Sequence, residues 1–314
     1  MMKNSFYATP IQKLVKKLNE NTVFIKRDDL LPFSFGGNKV RKALLFFKEL
    51  ESQACDCVVT YGSSSSNHCR IIANLAASQK LRCVIISPLE TSKKTYNSTM
   101  MDLFCAEIIN CQISEVKDTI EQKLAELEYE GYKPYFIQGG GHGNLGTKAY
   151  ISAYEEIRNY ELEKNIHFDY IFHTSGTGTT QAGLVCGQLI NKDQRQIVGI
   201  SNARKNPYGG EVVLDSVNSY MESIGLDNVS PDTINFIDDY VLDGYGAYNN
   251  EIIETIKEAL IQEGIPLDTT YTGKGFWGMK EYIKRNQITG KNILFIHTGG
   301  SPLFFDDLGV LKND

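Results

Sequence analysis

The chain lacks several features that would each dictate a class of protein. No run of its 314 residues reaches the length of a membrane span, and no Lys/Arg tract extends beyond the short "KLVKK" near the start. A formal net charge of −6 at pH 7 and a pI of about 5.5 argue against a nucleic-acid surface, which needs clustered positive charge. Proline is scarce, at 8 residues, and low-complexity tracts are missing, so nothing marks a disordered or linker-built architecture. The seven cysteines form an odd set without paired C-x-x-C motifs, and Cys55 and Cys57 in "ACDC" have no matching histidine cluster. Zinc and disulfides are therefore not expected, and no metal is assigned. The opening "MMKNSFYATPIQKLVKK" has no uninterrupted apolar core of the kind a signal peptide carries. These absences leave a cytoplasmic globular protein with reduced thiols and no nucleic-acid or membrane partner as the expectation.

What is present is a rhythm. Short apolar, β-rich runs at 57–62, 82–87, 107–111, 134–138, 169–174, 196–201 and 292–298 alternate with segments of helical spacing such as "NHCRIIANLAASQK" and "EIIETIKEALIQEG". Strands that read as nearly continuous apolar runs are those covered by helices on both faces, which predicts an α/β fold with open, mostly parallel sheets. No linker divides the chain, so two α/β units are expected to interleave. Glycine-rich segments follow four of the runs: "GSSSSNH", "GGGHGNLG", "SGTGTTQAG" and "GGSP". Ligands collect at the carboxyl ends of parallel strands, so these loops point to one site.

Three stretches carry chemistry. "HTSGTGTTQAG" (173–183) leaves a strand and opens a helix; Gly176 and Gly178 admit close backbone approach, and Thr177, Thr179 and Thr180 add hydroxyls at the helix N-terminus, a cup suited to phosphate. It is neither a Walker loop nor G-x-G-x-x-G. "GSSSSNHCR" (62–70) supplies Ser65 or Ser66 as helix cap, with the Ser66 hydroxyl and the N–H groups of Asn67 and His68 suited to a carboxylate. In "SFGGNKVRK" (34–42), Lys39 sits at a helix start, where a lysine is ordinarily solvated; enclosed beside a phosphate cup, it would lose charge and become a nucleophile.

Together with "YTGKGFWGM" and the closing "ILFIHTGGSPLFF", these motifs resemble, in the same order from about residue 5 to residue 305, the pyridoxal-phosphate enzymes of the aminocyclopropane-carboxylate deaminase and D-cysteine desulfhydrase family. The resemblance implies a fold like the tryptophan synthase β subunit (fold type II). It also implies a large domain at 1–47 and 156–314, a small inserted domain at 48–155, a homodimer, and pyridoxal 5'-phosphate as cofactor. By the same resemblance Lys39 is the lysine that carries the cofactor, Asn67 lies beside its phenolic oxygen, and Gly176, Thr177, Gly178, Thr179 and Thr180 hold its phosphate. Ser66 lies near the substrate carboxylate, and Tyr245 in "DGYGAY" and Tyr271 are two active-site tyrosines.

Departures from the family pattern narrow the chemistry. Where deaminases carry a carboxylate in "Y-E-G-K", this chain has Thr272, as the desulfhydrases do. A neutral hydroxyl gives the pyridine ring a weaker electron sink, which ranks β-elimination from a small amino acid above opening of a cyclopropane ring. Ser65 stands where a longer amide is usual, and His142 where a small polar residue is common, as a candidate lining of the substrate pocket. Racemisation, β-replacement, an inactive sensor that keeps the fold, and a nucleotide-binding protein using "SGTGTT" remain as rival readings.

Overall fold

The computed structural model describes residues 8–89 and 94–312; the first seven positions of the opening stretch lie outside them. The chain forms two compact units, Met1–Asn38 with Thr147–Asp314, and Lys39–Gly146. The smaller unit thus begins at Lys39 rather than at 48 and ends at Gly146 rather than at 155. The helix Asn38–Ser52 (α1) accounts for the first difference, since its Lys42 and Phe46 pack against the turn at Gly141 within that unit. The helix Asn144–Lys164 (α5) accounts for the second, because Tyr150, Ala153, Tyr154 and Ile157 enter the core of the larger unit.

The smaller unit holds an all-parallel sheet of Cys57–Tyr61 (β3), Arg82–Pro88 (β4), Glu107–Cys111 (β5) and Pro134–Ile137 (β6), in the order β5-β4-β3-β6. Cys57, Val59, Val84, Ile86, Cys111 and Leu127 form a core on it, so cysteine serves there as a small apolar side chain. The larger unit is built on Ile11–Lys13 (β1), Thr22–Arg27 (β2), Tyr170–Ser175 (β7), Gln196–Ser201 (β8), Asn235–Ile237 (β9) and Asn292–His297 (β10), ordered β1-β2-β10-β7-β8-β9. Only β1 runs antiparallel.

Alternation along the four central strands, β2, β10, β7 and β8, explains their composition. Phe24, Ile171, Ile197 and Leu294 enter one core, while their neighbours Ile25, Phe172, Val198 and Phe295 enter another on the opposite face. A strand that feeds two cores has no polar face to show, hence the unbroken apolar runs; each fully buried side chain of this size contributes about 1.5–3 kcal/mol. The parallel pairing also puts the carboxyl ends of β2, β10, β7 and β8 at one edge of this sheet, and those of β3 and β6 side by side in the smaller one. Each glycine-rich loop is carried to its place by this register.

Candidate active site

In the smaller unit, Lys39 opens its first helix and donates from Nζ to the Gly140 carbonyl at 2.8 Å. That carbonyl belongs to the turn after β6, where Gly140, Gly141 and Gly143 all have positive φ, so the "GGGHG" run is a backbone requirement. Lys39 as a residue is only half-buried, yet its amine is crowded, and desolvation lowers its pKa to about 8 against a weak opposing pull from Cys69. Lys42, one turn along α1, is buried outright, and burial followed by the charge of Lys39 holds it well below the ordinary lysine value. His142 is half-buried two residues beyond Gly140 in the same turn.

The helix Asn67–Ser78 (α2) starts where β3 ends, and Ser66 caps it: its Oγ accepts from the Cys69 N–H at 3.2 Å. The cap occupies a lone pair and leaves the Ser66 O–H as a donor. The Asn67 amide has a defined orientation. Asn97 Nδ2 donates to the Ser65 carbonyl at 2.8 Å, an acceptor only, and the same Nδ2 donates to Asn67 Oδ1 at 3.0 Å. Asn67 must therefore present its Nδ2 as the remaining donor. His68 is buried, and its Nε2 lies 2.8 Å from Thr60 Oγ1, whose hydrogen goes to the Ile137 carbonyl. Nε2 thus carries the ring proton, and burial, then Lys39 and Lys42, push its pKa well down. What His68 offers a ligand is its backbone N–H.

In the larger unit, β7 ends at Ser175 and the helix Thr179–Ile190 (α6) begins three residues beyond Gly176. Gly178 occupies the cap position with φ of 101°, and an added Cβ would crowd Val212. Asn38 Nδ2 donates to Thr180 Oγ1 at 3.1 Å, and the Asn38 N–H to the Thr298 carbonyl at 2.9 Å. The peptide bond that leaves Asn38 leads directly to Lys39. Beside Gly176, Ser175 Oγ and Asn202 Oδ1 are buried without a hydrogen-bond partner.

Tyr245 and Tyr271 lie together, with their hydroxyls 2.6 Å apart and their rings edge to face at 5.8 Å. Next to them, at the start of the helix Thr272–Arg285 (α9), Thr272 is fully buried and donates to Asp268 Oδ2 at 2.7 Å. Asp268 also accepts from the N–H groups of Thr270, Tyr271 and Thr272, so a carboxylate plugs the positive end of α9. Burial raises its pKa against those bonds. The Thr272 hydroxyl is therefore not the isolated neutral group that the motif implies, because an acid stands directly behind it.

The candidate residues thus form one group in each unit: Lys39, Ser66, Asn67, His68 and His142 in the smaller, and Gly176 to Thr180, Tyr245, Tyr271 and Thr272 in the larger. The profile of the family described as "Pyridoxal-phosphate dependent enzyme" matches residues 3–299. The chain belongs to that family. It is 32% identical over 309 residues to a D-cysteine desulfhydrase of Serratia proteamaculans (strain 568), covering 95% of this chain and 93% of the relative. A crystal structure of an ACC deaminase homologue superposes with a TM-score of 0.88 at 30% identity, over 97% of this chain and 93% of the other. A cysteine synthase from Entamoeba histolytica, 16% identical with a TM-score of 0.67 and covering 100% of this chain and 94% of the other, shares the fold.

Pyridoxal phosphate fits the residues present. The two unpartnered polar atoms at Ser175 and Asn202 line a backbone cradle at Gly176, where a phosphate would satisfy a hydroxyl and, with the Asn202 amide turned, an N–H. Two residues that orient candidate side chains escape a reading of the sequence: Asn97 and Asp268. Asp268 sits two to four positions before the N–H groups it accepts, an Asx-type signal visible in "DTTYT". Asn97 is 30 residues from its partner in sequence, and nothing local announces it.

Proposed function

We propose that the protein catalyses α,β-elimination on a small β-substituted amino acid, D-cysteine in the favoured case, releasing pyruvate, ammonia and sulfide. When bound, pyridoxal phosphate withdraws electrons from the substrate's α-carbon. Lys39 would carry it, the Asn67 Nδ2 would donate to its phenolic oxygen, and Gly176 to Thr180 would hold its phosphate. Lys39 Nζ then takes the α-proton, which an amine with a pKa of about 8 can do near neutral pH. The Ser66 O–H and the N–H groups of Asn67 and His68 hold the substrate carboxylate, with His142 on the pocket wall. A Tyr271 or Tyr245 hydroxyl gives a proton to the departing thiolate; the 2.6 Å bond between them supplies its replacement.

The observation that carries this reading is the lowered amine of Lys39 with a single hydrogen-bond partner. One observation favours a second reading. Asp268 behind Thr272 gives that hydroxyl the support of a buried acid, which strengthens the electron sink that ring opening of aminocyclopropane carboxylate requires. No helix among the described residues is long and apolar enough to cross a membrane, and all seven cysteines are unpaired, which suits a cytoplasmic protein. A homodimer is expected from the family and is read by sedimentation. The test is the visible spectrum of the purified protein, followed by pyruvate and sulfide assays with D-cysteine, L-cysteine, other β-substituted alanines and aminocyclopropane carboxylate. Sulfide and pyruvate in equal amounts from D-cysteine support elimination; a product only from aminocyclopropane carboxylate favours the second reading.

A further inference from the structure

Lys274 lies in the first turn of α9, has no exposed surface, and among the described residues meets no carboxylate within ion-pair distance. Its ammonium instead donates to three backbone carbonyls: Gly244 at 2.8 Å, Val241 at 3.0 Å and Asn202 at 3.2 Å. Three N–H donors meet three acceptors, so the charge is buried with every hydrogen satisfied. Two of the carbonyls already close turns, with Gly244 N–H donating to Val241 O at 3.3 Å and Ala247 N–H to Gly244 O at 3.2 Å. These turns carry Tyr245, and glycines with positive φ flank it at 244 and 246. Tyr240 and Val241 are buried and Leu242 packs on the core, whereas residues 243–248 are half-buried or exposed, so side-chain packing alone fixes little of the part that carries Tyr245. The third carbonyl belongs to Asn202, whose side chain faces the phosphate cradle at Gly176.

The geometry points to Lys274 as a positioning residue: one ammonium sets the turn that holds Tyr245 against Tyr271 and ties it to the segment beside the phosphate cradle. The role assigned to the tyrosines rests on the proposed function; the clamp itself does not. The chain contains its own reporter, because Trp277, its single tryptophan, sits one turn after Lys274 and packs edge to face on Tyr240 at 5.6 Å. Tyr240 immediately precedes the clamped Val241.

Lys274→Ala removes the ammonium and leaves a small polar cavity, and ammonium ion supplies N–H donors of the same kind. In the cofactor-free protein, Lys274→Ala is expected to shift Trp277 emission and raise its quenching by acrylamide, with ammonium chloride reversing both and tetramethylammonium chloride, a cation without N–H groups, reversing neither. In the loaded enzyme the cofactor's absorbance stays, kcat on D-cysteine falls about tenfold to a hundredfold, and ammonium restores most of it. Unchanged Trp277 signals and activity in Lys274→Ala overturn the proposal, as does a loss that both salts repair equally or that ammonium leaves untouched. If Lys274→Ala does not fold, Lys274→Gln, which keeps two N–H donors without the charge, replaces it; full activity and parental Trp277 quenching in that variant overturn the proposal. A parent protein without cofactor absorbance or D-cysteine activity refutes the proposed function, and the tryptophan measurement still decides the clamp.

Discussion

Lys39 in the smaller unit and Lys274 in the larger are both amines whose pKa burial lowers to about 8. They differ in what they hold. Lys274 spends its donors on three carbonyls and is sealed from solvent, whereas Lys39 has one carbonyl partner and keeps partial exposure. Desolvation alone therefore does not mark a reactive amine. The amine must also be free to leave its hydrogen-bond acceptor at small cost, and one hydrogen bond of about 1 kcal/mol is such a cost.

The largest expected effect breaks the pair apart. Lys39→Ala removes the visible absorbance of bound cofactor and lowers turnover by about a thousandfold or more. The pyruvate assay checks this, and a Lys39→Ala enzyme with parental activity would refute the assignment.

A second change separates the rigid lysine's helix from the reactive one. Gly300 follows β10 with φ of 102°, and an added Cβ would overlap the Asp268 carboxylate that plugs α9. Gly300→Ala should destabilise the larger unit by about 2–4 kcal/mol, read as a lowered denaturation midpoint. A midpoint within a few tenths of a kcal/mol of the parent would mean that Asp268 moves aside freely.

The smallest effect concerns pH. In the cofactor-free protein Lys39 has a folded pKa of about 8 against 10.5 unfolded. Its folded form therefore releases the proton first as pH rises, and stability climbs between those values. Below about pH 8 the crowded ammonium costs the folded state on the order of 1–2 kcal/mol, after allowance for its partial exposure. Lys39→Met should be more stable than the parent at pH 7 by that amount, and the advantage should vanish above about pH 10. An advantage independent of pH would trace the gain to packing.

Much of the fold was legible because its signals are local. Unbroken apolar runs marked seven strands, and the polar cluster before α2 marked Ser65 or Ser66 as a cap, of which Ser66 is the one that serves. The strands Ile11–Lys13, Thr22–Arg27 and Asn235–Ile237 escaped notice, since the second ends in buried charges and the other two are three residues long. Lys26, near the end of the second, is neutralised by Glu156, 2.6 Å away and 130 residues along the chain. The motif around Thr272 left Asp268 out of account, because the acid that Thr272 bonds is brought close by a turn outside the motif. Lys274 stood inside a quoted motif, yet its role depends on carbonyls 30, 33 and 72 residues away, and carbonyls leave no trace in sequence.

The central claim is that Lys39, among several buried amines, is the one that takes up the cofactor. Borohydride reduction of the loaded protein, followed by peptide mapping, locates the attached pyridoxyl group directly. The account predicts that it is found on Lys39 and on neither Lys42 nor Lys274. A pyridoxyl group on Lys42, one helical turn along α1, or on Lys274 would contradict it.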